Sequence, residues 1–235
     1  EEKIVDFSPF KFTDENGKPS TFSALVKENS IEKIDTRSSN PLFQSVSKIK
    51  FYVTGKQMAL TFDSSSRTQF FDIDLTTFAI SEKNIPSLAI KGNSGQSNSY
   101  FHDNKLYQIR ANGEELGIAA IDMATGEQLK NYTASPKDSI SFRNSPLYSQ
   151  TGNQRGQELK NTKKFFQRLN NSNLGITVYK TPAAVMVTAG GIRDVSSTGG
   201  ILLGISTTVA LSLAGSSYAP EDMFDSQSMQ TVYFE

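Results

Sequence analysis

His102 and Asp103 stand side by side ahead of an apolar strand pattern, and a search for acid–base chemistry starts there. His102 is the one imidazole of the chain, so a Ser-His-Asp site would have to use it, yet no Gly-x-Ser-x-Gly elbow occurs. A structural role is expected for it. Asp72 and Asp74 lie two apart in a strand pattern and share a face, an arrangement that can serve glycosidase chemistry or bind a cation. Asp74 also sits at a turn position, which favours a structural role. Glu221, Asp222 and Asp225 form a second acidic group, without the alternating ligand spacing of a calcium loop. Arg155, Lys160, Lys163, Lys164 and Arg168 accompany a single acid, Glu158, and offer a basic surface to an acidic partner. Gly190-Gly191 and Gly199-Gly200 lack the lysine and the spacing of a phosphate loop.

Composition narrows these options. The absence of Cys excludes disulfides, thiolate metal sites and Cys nucleophiles, and a single His excludes any site that needs two imidazoles. With 24 basic and 24 acidic residues the chain has no net charge, which argues against general nucleic-acid binding, where affinity rests on neutralising phosphates. No Trp is present to form a sugar platform. The chain opens Glu1-Glu2-Lys3 with neither an initiator Met nor a basic and apolar leader, and is rich in Ser and Asn; it reads as an exported chain whose leader has been removed. Asp138-Ser139-Ile140 fits the short O-glycosylation pattern of exported Bacteroidetes proteins, which points the same way.

The elements that must position these residues are mostly strands. Residues 1–47 are broken by Pro9, Pro19 and Pro41, and short runs such as Phe22 to Val26 and Ile31 to Ile34 read as edge strands. From Ile49 onward, runs of about five apolar-rich residues alternate with Gly, Asp and Ser turns, the mark of β-meanders. Sliding the chain by 48 residues superposes Met58 on Leu106, Thr61 on Ile109, Ile73 on Ile121, Asp74 on Asp122 and Thr77 on Thr125. A period of this length with about four strands per unit is expected of propeller blades.

The segment from Asp103 to Lys130, with its "KLY" strand and Ala120-Ile121-Asp122-Met123-Ala124-Thr125-Gly126-Glu127 hairpin, resembles the blades of quinoprotein-type and related β-propellers. The stretch from Phe165 to Val195 resembles poorly characterised exported propeller-like proteins of the Bacteroidetes. The resemblance implies a fold and no specific activity.

Residues 155–170 break the β pattern. Leu159, Thr162, Phe166 and Leu169 recur at helical spacing, which predicts one inserted helix ended by Asn170, Asn171 and Asn173. Residues 195–220 carry no charge. This Gly/Ser-rich stretch reads as a blade insertion, as a surface for an apolar partner or an outer membrane, or as a segment long enough to span a bilayer, with Ile201, Leu202, Leu203, Val209 and Leu211 as contact residues beside Lys163, Lys164 and Arg168 of the helix. Val232-Tyr233-Phe234 reads as the third strand of a unit whose fourth strand does not follow. A longer polypeptide, or a second chain covering the edge near residues 231–235, is therefore expected.

The fold class expected is all-β: one propeller-like domain over residues 1–235 with one inserted helix, an incomplete propeller. The function expected is a non-enzymatic, exported binding or scaffold module. It would be a subunit of a periplasmic, outer-membrane or cell-surface assembly, with a protein partner, no nucleic acid, no cofactor and no metal. The alternative is a carbohydrate-active propeller enzyme using carboxylates such as Asp72 and Asp222.

Overall fold

The computed structural model describes residues 4–92, 94–151, 155–194 and 229–234. Within them the protein is all-β, with several antiparallel sheets and few helices. Residues 1–47 do more than supply edge strands. A short hairpin, β1 (Phe12–Thr13) with β2 (Pro19–Ser20), leads into helix α1 (Phe22–Glu28). The run expected to be an edge strand is helical because Thr21 caps it, its hydroxyl accepting from the Ala24 N–H at 3.2 Å. Phe22, Leu25 and Val26 also have the i, i+3, i+4 spacing of a helix face. That face packs on the first large sheet together with Phe7, Phe10 and Phe12, around Phe62 and Phe71.

The first large sheet has the order β3 (Ile31–Ile34), β4 (Ile49–Thr54), β5 (Gln57–Asp63), β6 (Arg67–Asp74), β7 (Ile80–Pro86); β3 and β4 run parallel and the rest form an antiparallel meander. A short helix, α2 (Leu42–Ser45), lies between β3 and β4. The second sheet is the meander β8 (Gln96–His102), β9 (Lys105–Ala111), β10 (Leu116–Asp122) and β11 (Gln128–Ala134).

The two meanders carry the same hydrogen bonds at corresponding positions. Asp74 Oδ1 accepts from the N–H groups of Thr76 and Thr77 at 2.7 and 2.9 Å, and Asp122 Oδ1 from those of Ala124 and Thr125 at 2.8 and 3.0 Å. Each turn then closes on the Asp carbonyl, which accepts from Phe78 N–H in one and Gly126 N–H in the other. These Asx turns follow from the short Asp side chain, which reaches backbone donors two and three residues on.

The third sheet is built out of chain order: β13 (Gln157–Glu158), β12 (Tyr148–Thr151), β16 (Met229–Phe234), β15 (Val185–Asp194), β14 (Asn173–Lys180). β16 therefore lies between two partners. The edge near residues 231–235, expected to be covered by a longer polypeptide or a second chain, is covered by β12 from earlier in the same chain, with Tyr148 opposite Tyr233 and Ser149 opposite Val232. An unpaired strand edge is costly, and an upstream segment satisfies it as well as a downstream one.

Helix α3 spans Thr162–Leu169, shorter than the expected 155–170. Asn161 is its N-cap, accepting from Lys164 N–H. Ahead of it the chain is extended in β13, and Leu159, expected on the helix, instead donates its N–H to the Leu147 carbonyl. Phe165, Phe166 and Leu169 are fully buried among the sheets, each contributing about 1.5–3 kcal/mol of apolar burial.

Candidate functional site

The residues expected to do chemistry mostly have structural employment. The carboxylates of Asp74 and Asp122 are held below the ordinary range by the backbone N–H groups of their turns. Asp74 is thus committed to its turn and is not free to pair with Asp72 as an acid–base couple. Asp72 sits on β6 opposite Ala59 and Ser81. Asp222, with Glu221 and Asp225, lies outside the described residues, as do Ile201, Leu202, Leu203, Val209 and Leu211. Among the described residues no group of three His, Asp or Glu side chains is placed to hold a metal ion, and no helix is long and apolar enough to cross a membrane.

His102 ends β8 and is buried. Burial pushes its imidazole pKa down, Lys180 and Lys105 add to the effect, and Asp103 opposes it. The Asp103 carboxylate points to Lys180, 2.9 Å away, so the adjacent His-Asp pair is not a catalytic dyad. Gly190 and Gly191 lie within β15, where their purpose is packing. A Cβ on Gly190 would stand 2.0 Å from the Val232 carbonyl of β16.

The basic surface of α3 is present. Lys163 and Lys164 are exposed and Arg168 is half-buried. Lys163 lines a cleft of about 580 Å³ with Lys137, Pro136, Gln167 and Asn171, over a floor that includes Phe166. This brings one of the three expected helix residues beside a second lysine from the loop after β11.

A second cleft, of about 620 Å³, opens between the two meanders. β7 forms one wall, and the β10–β11 hairpin forms the other. The carboxamides of Asn84, Gln128 and Asn131 line it, with Lys83. Lys83 donates to the Met123 carbonyl at 2.5 Å and so ties the two walls together. Gln108 reaches this cleft from β9. Its Nε2 donates to the Pro86 carbonyl at 3.2 Å, while its Oε1 is buried and accepts no hydrogen bond. A buried carboxamide oxygen without a donor costs roughly 1–3 kcal/mol, so it calls for a partner.

Between the same two sheets, deeper in, lies a polar cluster that the sequence reading did not find. Lys50, Asp63 and Asn98 are buried together, with Thr68 and Ser99 around them. In sequence, Lys50 lies within an apolar strand pattern and Asp63 opens a Ser-rich turn. The available signal was a charge at an alternate position of an otherwise apolar strand, on the face that also carries Tyr52. No family model, curated protein or solved structure matches the chain.

Proposed function

We propose that this protein is a propeller-like, non-enzymatic binding or scaffold module of an exported cell-envelope assembly, and that the cleft between its two meanders takes an extended polypeptide segment of a protein partner. The observation that carries the reading is the pair of strand edges, β7 and β11, beside that cleft, rows of backbone donors and acceptors that an extended peptide could pair with. The walls suit such a ligand. β7 pairs only with β6, and β11 only with β10, among the described residues, so two strand edges flank a space lined by carboxamides. The propeller-like reading is supported by the way one strand from each of the three sheets meets the others. Lys50 of β4 donates to Asn98 of β8, and Asn98 donates to the Leu174 carbonyl of β14. The carbohydrate-active alternative is not taken up: Asp74 serves its turn, and Asp222, its other carboxylate beside Asp72, lies outside the described residues.

The test is a peptide array followed by hydrogen exchange. Peptides selected for binding should protect amides of Asn84 to Leu88 and of Gln128 to Asn131. Asn84→Ala combined with Asn131→Ala should weaken the binding at least about tenfold, as expected when two polar contacts to ligand are lost. Protection confined to other surfaces, or no retained peptide, would refute the assignment.

A further inference from the structure

Lys50, Asp63 and Asn98 form a constellation with more chemistry in it than an ion pair needs. Lys50 Nζ stands 2.7 Å from Asn98 Oδ1 and 3.1 Å from Asp63 Oδ2, and both members of the ion pair are fully shielded from water. Since a carbonyl bond is about 1.23 Å long, the amine lies no more than about 3.9 Å from the Asn98 side-chain carbon, close to a near-attack separation. The amide is pinned from the other side, its Nδ2 donating to the carbonyls of Val46 at 3.0 Å and Leu174 at 2.7 Å. The Ser99 N–H lies 2.7 Å from Asn98 Oδ1, where negative charge would develop if that carbon were attacked. It also lies 3.1 Å from Asp63 Oδ2, and the Ser99 and Thr68 hydroxyls hold the same carboxylate.

We propose that Lys50 and Asn98 become joined by an intramolecular isopeptide bond, formed within the folded protein with Asp63 as the proton carrier. Asp63 takes a proton from the Lys50 ammonium, leaving a neutral amine. The amine lone pair attacks the Asn98 Cγ, and the carbonyl electrons move onto Oδ1, opposite the Ser99 N–H. The tetrahedral centre then collapses: Asp63 returns the proton to Nδ2, the C–Nδ2 bond breaks and ammonia departs, and the proton lost from Nζ as the amide forms passes to Asp63, which ends as the neutral acid. One C–N bond forms, one breaks, ammonia leaves, and no oxidant or other co-reactant is required. Exclusion of water keeps hydrolysis from competing. Burial pushes the Lys50 pKa down, while Asp63 and Glu32 hold it up, so the neutral amine is more accessible here than on a surface lysine. The product would tie β4 of the first sheet to β8 of the second, a covalent staple in a chain without a single Cys.

The experiment is intact-mass spectrometry of the folded, purified protein, followed by tryptic mapping. The expected result is a mass about 17 Da below that of the sequence and a branched peptide joining Lys50 to Asn98. Mapping is essential, because succinimide at Asn16-Gly17 or Asn112-Gly113 also loses ammonia. Lys50→Met should abolish the branched peptide. Asn98→Asp should react with loss of water instead, about 18 Da. Asp63→Asn should leave the unreacted mass. The wild-type result stands even if a variant fails to fold. A folded wild-type protein that keeps its full sequence mass after prolonged incubation, or that loses ammonia only at the Asn-Gly sites, overturns the proposal.

Discussion

Phe78 and Gly126 occupy the same position of two matching turns and share a left-handed backbone, with φ of +62° and +75°. In each, the residue's N–H closes the turn on an Asp carbonyl. A glycine adopts this conformation freely, whereas a side chain there costs roughly 1–2 kcal/mol. Nothing lies within 4 Å of a Cβ placed on Gly126, so the cost at that position is purely conformational. Gly126→Ala should therefore lose about 1 kcal/mol, shifting the thermal midpoint by about 2–4 °C. An unchanged melting curve would show that the turn relaxes into another geometry.

The Asx turns should make stability depend on pH in the acid range. Turn N–H groups depress the pKa of Asp74 and of Asp122 below 3.8. The stabilisation is thus present above that ordinary value and is lost as pH falls through the depressed one. A double variant, Asp74→Asn with Asp122→Asn, keeps an acceptor oxygen but removes the charge. It should melt lower than the wild type at neutral pH, with the gap narrowing as the wild-type carboxylates protonate. Parallel curves at all pH values would contradict the charge-assisted bonds.

Glu32 should behave in the opposite sense. It sits on β3 beside Lys50, and burial raises its carboxyl from 4.5 to about 7 against the pull of that lysine. The folded protein then holds a proton that the unfolded chain has released. Stability falls as pH rises from about 4.5 to about 7 and stays at the lower level above. Glu32→Gln should match the wild type near pH 4 and exceed it near pH 8 by about 1–2 kcal/mol, after allowance for its partial exposure. Denaturant titrations at the two pH values decide it, and equal stability of the two proteins at both would remove Glu32 as the titrating group.

Leu169 closes α3 against the sheets at 1% exposure. Leu169→Asp would bury a carboxylate and remove apolar contact, a loss of about 3–5 kcal/mol and on the order of 10 °C in melting temperature. By contrast, Lys163→Ala and Lys164→Ala change exposed side chains and should stay within about 0.5 kcal/mol. Calorimetry on the three variants separates the buried face of the helix from its basic face.

What the sequence determined is local. The Asp-x-x-Thr turns at Asp74 and Asp122, the strands between them and the existence of a helix ending near Leu169 are legible because short polar side chains and apolar periodicity act over three or four residues. The α1 helix was missed because a brief run such as Phe22 to Val26 is apolar enough for a strand, and the capping role of Thr21 decides between the two. Tertiary structure alone decided the rest. β12 covers β16 across some eighty intervening residues, a pairing that satisfies a strand edge and leaves no pattern in either segment. Lys50, Asp63 and Asn98 meet because two sheets pack face to face, and Gln108 Oε1 is left without a donor for the same reason. Packing pairs residues from distant strands, and no spacing along the chain encodes which polar groups it will bury together.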